Sequence, residues 1–269
     1  MRDMGIKVRN ITLGEGKTKV CIPLVSTSAD NIEHDLRDLK SISFDILEWR
    51  MDYYKQIAEK EHIDYALDSI REAVKDAPIL ATFRTKEEGG VRSISNEDYI
   101  KLLKYIIRTG KVDMIDIEFF KDEEAWKQIS EYAHKHNVVV VASNHHFDKT
   151  PSKEEMIEIL CSMKEKGADV PKLAVMPAND KDVLALIEAT HEVSRVKNIN
   201  PIITMSMGEE GLITRIAAEF FGSCLTFACV KKSSAPGQVP VSIMYPLMRY
   251  LHDGREKEIE KENEEQEEA

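Results

Sequence analysis

The run PKLAVMP, from Pro171 to Pro177, sets Lys172 at the entrance to a short apolar stretch, where an ammonium group is costly to desolvate. Other apolar runs also carry charges. Glu48, Arg50 and Asp52 alternate along FDILEWRMD, and Arg84 ends PILATFRT with Glu87 and Glu88 following. Asp116 and Glu118 share one side of VDMIDIEFF, and His145 and His146 close NVVVVASNHH. The plainest account of Glu48 and Arg50 is a salt bridge between neighbouring strands, with Asp116 and Glu118 as structural partners of Arg50 or Lys172. Charges in five successive runs weigh against so bland an account, because that many ionised groups enter an interior only by pairing or by meeting a polar ligand.

Such a set supports amine chemistry on a carbonyl. Lys172 shares its strand side with Ala174 and Met176, which leave room around it. Burial on that side favours the neutral amine, the form that attacks a carbonyl to make an imine. The plainer alternatives are a snorkelling lysine or a fixed partner for Glu118. An iminium needs a second group to move protons, and adjacent histidines on opposite strand sides mean that one of them faces the interior. Alternation groups His145 with Ser143 and Phe147, and His146 with Asn144, without choosing between them. Arg215, early in a helical stretch, is placed either on a solvent face or to grip a carboxylate bidentately. In SAPGQ, Gly237 and the flanking Pro236 and Pro240 fix a tight loop, either an ordinary turn or one that presents Ser234 and Gln238 as donors. Met205 and Met207 fill core or pack beneath a substrate.

These residues must be positioned by the elements that carry them. Eight apolar runs, at 20–26, 44–52, 78–85, 112–120, 137–146, 170–177, 200–207 and 224–232, are bounded by turn residues. Amphipathic segments alternate with them. Ser95 with Asp98, and Ser152 with Glu155, form capping boxes, and Gly110 and Gly167 supply the stops. Runs apolar at nearly every position are parallel strands covered on both sides. Right-handed crossovers through eight such units close into a (β/α)8 barrel. The alternative, an open doubly wound sheet, lacks a Gly-rich fingerprint after its first strand. The expected organisation is one barrel domain over 1–254 and an acidic tail over 255–269, disordered or a frayed helix.

Within the net charge of −11, that tail carries eight Glu against three Lys or Arg, so the remainder is only mildly acidic. With no basic stripe or aromatic platform, nucleic-acid binding is not expected. Four scattered cysteines, Cys21, Cys161, Cys224 and Cys229, lack metal-ligand spacing and read as reduced core thiols. No run approaches the roughly 18 apolar residues of a membrane span, and no export signal is evident at MRDMGIKVRN. A soluble cytoplasmic protein is expected.

Taken in order, EWR at 48–50, TFRTKEEGG at 82–90, DIEFF at 116–120, SNHHF followed by DKTP, PKLAVMP, ITMSM and SAPGQ at 234–238 give a chain that resembles the type I 3-dehydroquinate dehydratases of the shikimate pathway. The resemblance runs through about residue 252. It implies a (β/α)8 barrel, a homodimer, and no metal or organic cofactor. It implies that Lys172 forms an imine with C3 of 3-dehydroquinate, that His145 handles the C2 proton, and that Glu88 orients His145. It assigns Arg215, Ser234 and Gln238 to the substrate carboxylate, and Glu48, Arg50 and Arg84 to the ring hydroxyls and the amine. Both tasks of His145 require it to titrate near neutrality. One position departs from the pattern: His146 stands where the family usually has Asp or Asn, which implies a changed pH optimum or a less firmly held His145. Rival readings are a Schiff-base aldolase on the same barrel and a silent barrel that binds a metabolite or a protein partner.

Overall fold

The computed structural model describes residues 5–231 and 233–267, with side chains to residue 257. The strands are β1 (Ile6–Val8), β2 (Ile11–Leu13), β3 (Lys19–Leu24), β4 (Ile46–Arg50), β5 (Ile79–Thr82), β6 (Met114–Glu118), β7 (Val139–His146), β8 (Val170–Val175), β9 (Ile203–Ser206) and β10 (Leu225–Phe227). Between and after them run α1 (Ala29–Leu39), α2 (Lys60–Val74), α3 (Asn96–Arg108), α4 (Glu123–Lys135), α5 (Lys153–Glu165), α6 (Asp180–His191), α7 (Leu212–Ile216), α8 (Ala218–Phe221) and α9 (Val241–Glu267). The helix α9 carries the chain from the barrel into the acidic segment, of which residues 268 and 269 lie outside the described residues.

The eight parallel strands follow the order β10, β3, β4, β5, β6, β7, β8, β9. The ring closes between β9 and β10 without a full ladder. Cys224 N–H donates to Ile202 O at 2.8 Å, and the Ser223 hydroxyl accepts from Thr204 N–H at 3.0 Å. Each of the eight runs seen in the sequence corresponds to one strand, shorter than the run, although β3 begins one residue early at Lys19. Closure excludes the open doubly wound sheet. The helix stops behave as anticipated, with Gly110 and Gly167 at positive φ after α3 and α5. Ser152 and Glu155 make the full capping box, whereas Ser95 accepts from Asp98 N–H and donates to the Asp98 carboxylate instead.

Register decides what faces inward. On the outer side Ile22, Leu47, Trp49, Ala81, Ile115, Ile117 and Val140 pack against the helices. Inside, the lower layer is apolar: Cys21, Ile46, Leu80, Met114, Val141, Val170, Ile203 and Leu225 meet one another and the residues Val8 and Leu13 of the β1–β2 hairpin, which plugs this end. Asp45, Asp113 and Asp169, just before β4, β6 and β8, accept N–H groups at the starts of neighbouring β3, β5 and β7 (Val20, Ile79, Val140) at 2.8, 2.8 and 2.7 Å. This spacing of carboxylates pins the shear of the ring, because a slip by one residue would leave each acid without its donor. Two residues further along β4 to β8 the same inward face becomes polar, with Glu48, Thr82, Asp116, Ser143 and Lys172, while Pro23, Met205 and Phe227 keep it apolar on β3, β9 and β10.

Candidate active site

At the C-terminal end of the strands, an open cleft of about 480 Å³, solvent at its mouth included, is lined by Lys172, His145, Glu88, Glu48, Arg50, Arg84, Arg215, Ser234 and Gln238. Every residue singled out as a candidate reaches this one space. Charged residues seen in the sequence but outside that set divide. Glu87 points to solvent near Ser93, while Asp52 is fully buried and takes both Nε and Nη2 of Arg50 at 2.9 Å. Glu48 instead accepts from the Thr82 hydroxyl at 2.8 Å, so the simple Glu48–Arg50 bridge does not form.

Lys172 is 3% exposed. Its Nζ lies 3.0 Å from Asp116 Oδ2 and 4.7 Å from the centre of the Phe227 ring. The amine is therefore met as half of an ion pair, not as an isolated amine in apolar surroundings. Asp116 sits two strands away and reaches past Ser143 on β7, a relation set by the register and curvature of β6, β7 and β8. Its Oδ1 accepts from Arg84 Nη2 at 2.8 Å and from the Ser143 hydroxyl at 2.5 Å. Burial opposes this charge, but Arg84, Lys172 and Ser143 outweigh it and hold the carboxyl at about 2. Arg84 also donates to Glu118 at 3.1 Å and Ser143 at 2.9 Å, and Glu118 is fixed further by Thr85 N–H and hydroxyl at 2.7 and 2.8 Å. Burial works against the guanidinium, yet Asp116, Glu118 and Glu88 raise it above its ordinary value.

His145 faces inward because β7 continues the parity of Val141 and Ser143. Its Nδ1 lies 2.7 Å from Glu88 Oε2, which leaves Nε2 as the ring nitrogen available to the cavity. Phe147 stacks beside the imidazole with centroids 6.2 Å apart. Gly89 has φ +82° and lies under that phenyl ring, where a Cβ would come within 2.2 Å, so only glycine admits this contact. Burial, then Arg84, Lys172 and Arg50, lower the His145 imidazole well below the ordinary 6.5. That departs from the expected titration near neutrality. Burial, reinforced by Glu118 and Asp116 against Arg84, raises Glu88 to about 8. In the free cavity the pair prefers to be uncharged. His146 lies on the opposite side of the strand among Phe120, Lys149, Pro151 and Glu155. Burial and then Lys149 lower its imidazole.

On the other wall, Arg215 is 1% exposed. Its Nη2 donates to Pro236 O at 3.0 Å, its Nη1 lies 3.6 Å from Met205 Sδ, and its Nε has no hydrogen-bond partner. It has no carboxylate partner among the described residues, and burial lowers it to about 10. Ser234 and Gln238 stand beside it, tied by Ser234 N–H to Gln238 Oε1 at 2.9 Å and Gln238 Nε2 to Ser234 Oγ at 3.0 Å. Gly237, at φ +75°, holds the loop against Gly208, whose carbonyl oxygen would lie 2.2 Å from an added Cβ.

Sequence reasoning left out Asp116, Thr82, Ser143, Phe147 and Phe227 from the site. Inward parity shared with Lys172 and His145 was the available signal for the first three. The one cluster of metal-ligand type among the described residues, His34, Asp35 and Asp38, lies on α1, outside this cavity. Chemically, the cavity offers an amine beside a carboxylate, an imidazole with one free nitrogen, and an unpaired guanidinium for an anion.

The family model described as type I 3-dehydroquinase matches residues 20–255. A curated relative from Clostridium kluyveri, named 3-dehydroquinate dehydratase, is 48% identical over 247 residues, covering 91% of this chain and 97% of its own. One of the same name from Listeria welshimeri is 45% identical, covering 92% and 98%. Among solved structures, the type I 3-dehydroquinate dehydratase of Clostridium difficile, with covalent modified comenic acid, superposes with a TM-score of 0.91 at 42% identity, covering 94% of this chain and 100% of that one.

Proposed function

This chain belongs to the type I 3-dehydroquinase family and is an enzyme that dehydrates 3-dehydroquinate; we propose that it does so through a Schiff base on Lys172, with His145 as general base and then general acid. Arg215 takes the substrate carboxylate with Ser234 and Gln238, which directs the C3 carbonyl toward Lys172. Glu48, Arg50 and Arg84 face the ring hydroxyls and the amine. Attack by Nζ and loss of water give an iminium, which acidifies the neighbouring C2–H by drawing electrons to nitrogen. With Nδ1–H donated to Glu88, Nε2 keeps its lone pair toward the substrate and removes that proton. The same imidazolium then protonates the departing C1 hydroxyl, so proton and hydroxyl leave from one face, a syn elimination. Hydrolysis of the imine frees 3-dehydroshikimate and the lysine.

The observation that carries this is the register of β7 on β8. Lys172 pairs with Ser143, and His145 pairs with Ala174, so imidazole and amine occupy adjacent strands one inward layer apart. Incubation with 3-dehydroquinate and borohydride, followed by peptide mass spectrometry, is expected to place the reduced adduct on Lys172. Lys172→Ala is expected to lower kcat by roughly 10⁴-fold or more. Parental turnover in that variant, or an adduct on another residue, would sink the mechanism.

The same proposal puts the enzyme in a reducing cytoplasm as a homodimer. In support, all four cysteines are free. No helix among the described residues is long and apolar enough to cross a membrane. Sedimentation at micromolar concentration checks the dimer.

A further inference from the structure

We propose that Asp116 is the counter-ion of the protonated imine: the carboxylate paired with Lys172 Nζ in the free enzyme stays charged against the same nitrogen after it joins the substrate, and so keeps the imine in its electron-drawing form. The inference rests on the Schiff-base mechanism proposed above. Asp116 is the hydrogen-bond acceptor of Nζ among the described residues, at 3.0 Å. Its other oxygen is held by Arg84 at 2.8 Å and Ser143 at 2.5 Å, so the carboxylate is anchored independently of the lysine and does not turn away when Nζ reacts.

The balance of the step explains why a fixed charge suits it. An ammonium plus a ketone gives a protonated imine plus water; Nζ loses two protons, both leave on the expelled oxygen, and one positive charge remains at nitrogen. A carboxylate beside that atom therefore favours reactant and product alike. Its influence is greatest where the charge is least secure. A protonated imine is a far stronger acid than the ammonium it replaces, so the local field decides how much of it survives near neutral pH. When C2–H breaks, the electron pair moves to nitrogen and the charge disappears in the enamine; it returns as the C1–O bond breaks. Arg84, Lys172 and Ser143 hold Asp116 at about 2 against its burial. A carboxyl so acidic is a poor base for stripping Nζ, which separates a counter-ion from a general base.

The titratable and charged groups around the pair are Arg84 and Glu88 beyond β5, Glu118 on β6, His145 on β7 and Tyr99 on α3. Cys21 on β3 and Glu48 on β4 lie on the far side of Lys172, and Phe227 on β10 offers its ring face to Nζ.

The test is trapping with cyanoborohydride, which reduces the protonated imine selectively, using the full chain and saturating 3-dehydroquinate across a pH series. Asp116→Asn is expected to lower the midpoint of Lys172 labelling by about one pH unit or more, with the alkaline limb of kcat moving equally. Ser143→Ala, which leaves more of the Asp116 charge to Nζ, is expected to move both upward by less. Unchanged midpoints in both variants, whatever the loss of rate, would overturn the assignment. If thermal melting shows that Asp116→Asn does not fold, Ser143→Ala decides alone. Absence of a Lys172 adduct in the parent at every pH would remove the Schiff base itself, whereas a parental adduct with unshifted variants removes only the counter-ion.

Discussion

Arg84 and Arg215 stand on opposite walls of one cavity, both buried, in opposite company. Arg84 meets Asp116, Glu118, Ser143 and, at 3.5 Å, Glu88. Arg215 meets a carbonyl oxygen and a thioether, and leaves its Nε without a partner. The first wall is complete in the free protein, with its charges neutralising one another in place. The second holds a charge that no carboxylate among the described residues answers, at a cost in stability that an incoming anion would offset. A site can thus be divided into a part that is scaffold and a part that is receptor, and the pairing of its buried charges tells which is which.

Substituting the two arginines breaks the comparison if it is wrong. Arg84→Met leaves Asp116, Glu118 and Glu88 with fewer partners, and is expected to cost about 3–5 kcal/mol of folding stability, together with most activity. Arg215→Met removes an unpaired buried charge. It is expected to leave stability equal or higher by about 1 kcal/mol, while KM for 3-dehydroquinate rises about 100-fold. Urea unfolding and steady-state kinetics on both variants check this. Equal destabilisation by the two substitutions would erase the distinction between the walls.

A third pair of groups sharpens it. Glu88 is raised to about 8 from an ordinary 4.5, with burial as the first cause. The folded state therefore keeps a proton that the unfolded chain has lost. That stabilisation is full below pH 4.5 and is lost as pH rises through about 8. Glu88→Gln cannot titrate, so the parent is expected to lose stability relative to the variant between about pH 5 and about pH 9, read from urea midpoints. A difference that stays constant with pH would contradict the raised value. The lowered His145 imidazole also predicts that kcat/KM of the parent holds its plateau to below the ordinary 6.5. An acid limb above that pH would show His145 to be more basic than its burial allows.

Much of this was legible along the chain. Buried parallel strands are apolar at nearly every position, so all eight announced themselves, and charges late in those runs marked the cavity. Ser152 with Glu155 and Gly167 gave helix limits because capping is local chemistry. Other features depend on what lies across the ring. The β1–β2 hairpin escaped notice because each strand has three residues, too few for alternation to register. Parity separates His145 from His146 only once the inward side is known, and strands apolar on both sides do not reveal it. The sequence leaves Asp116 as a partner of either Arg50 or Lys172, and the desolvated amine favoured for Lys172 gives way to an ion pair because Asp116 reaches its Nζ from two strands away. No spacing in the linear sequence encodes that contact; the barrel's shear does.

The smallest expected effect concerns His146, the neighbour of His145 at the end of β7. Its ring lies on the outer side of β7, and it lowers His145 less than burial, Arg84, Lys172 and Arg50 do. His146→Asp puts a carboxylate near the same strand end, which favours the His145 imidazolium. The acid limb of kcat/KM is then expected to rise by about half a pH unit, with kcat unchanged within about twofold. Coincident pH profiles would show that His146 does not tune the base. Salt separates the two physical routes that remain. A through-space charge effect shrinks as ionic strength rises, whereas a shift that persists at high salt comes from a change in the loop after β7, where the Lys149 carbonyl accepts from Met176 N–H and the Thr150 hydroxyl donates to Met176 O.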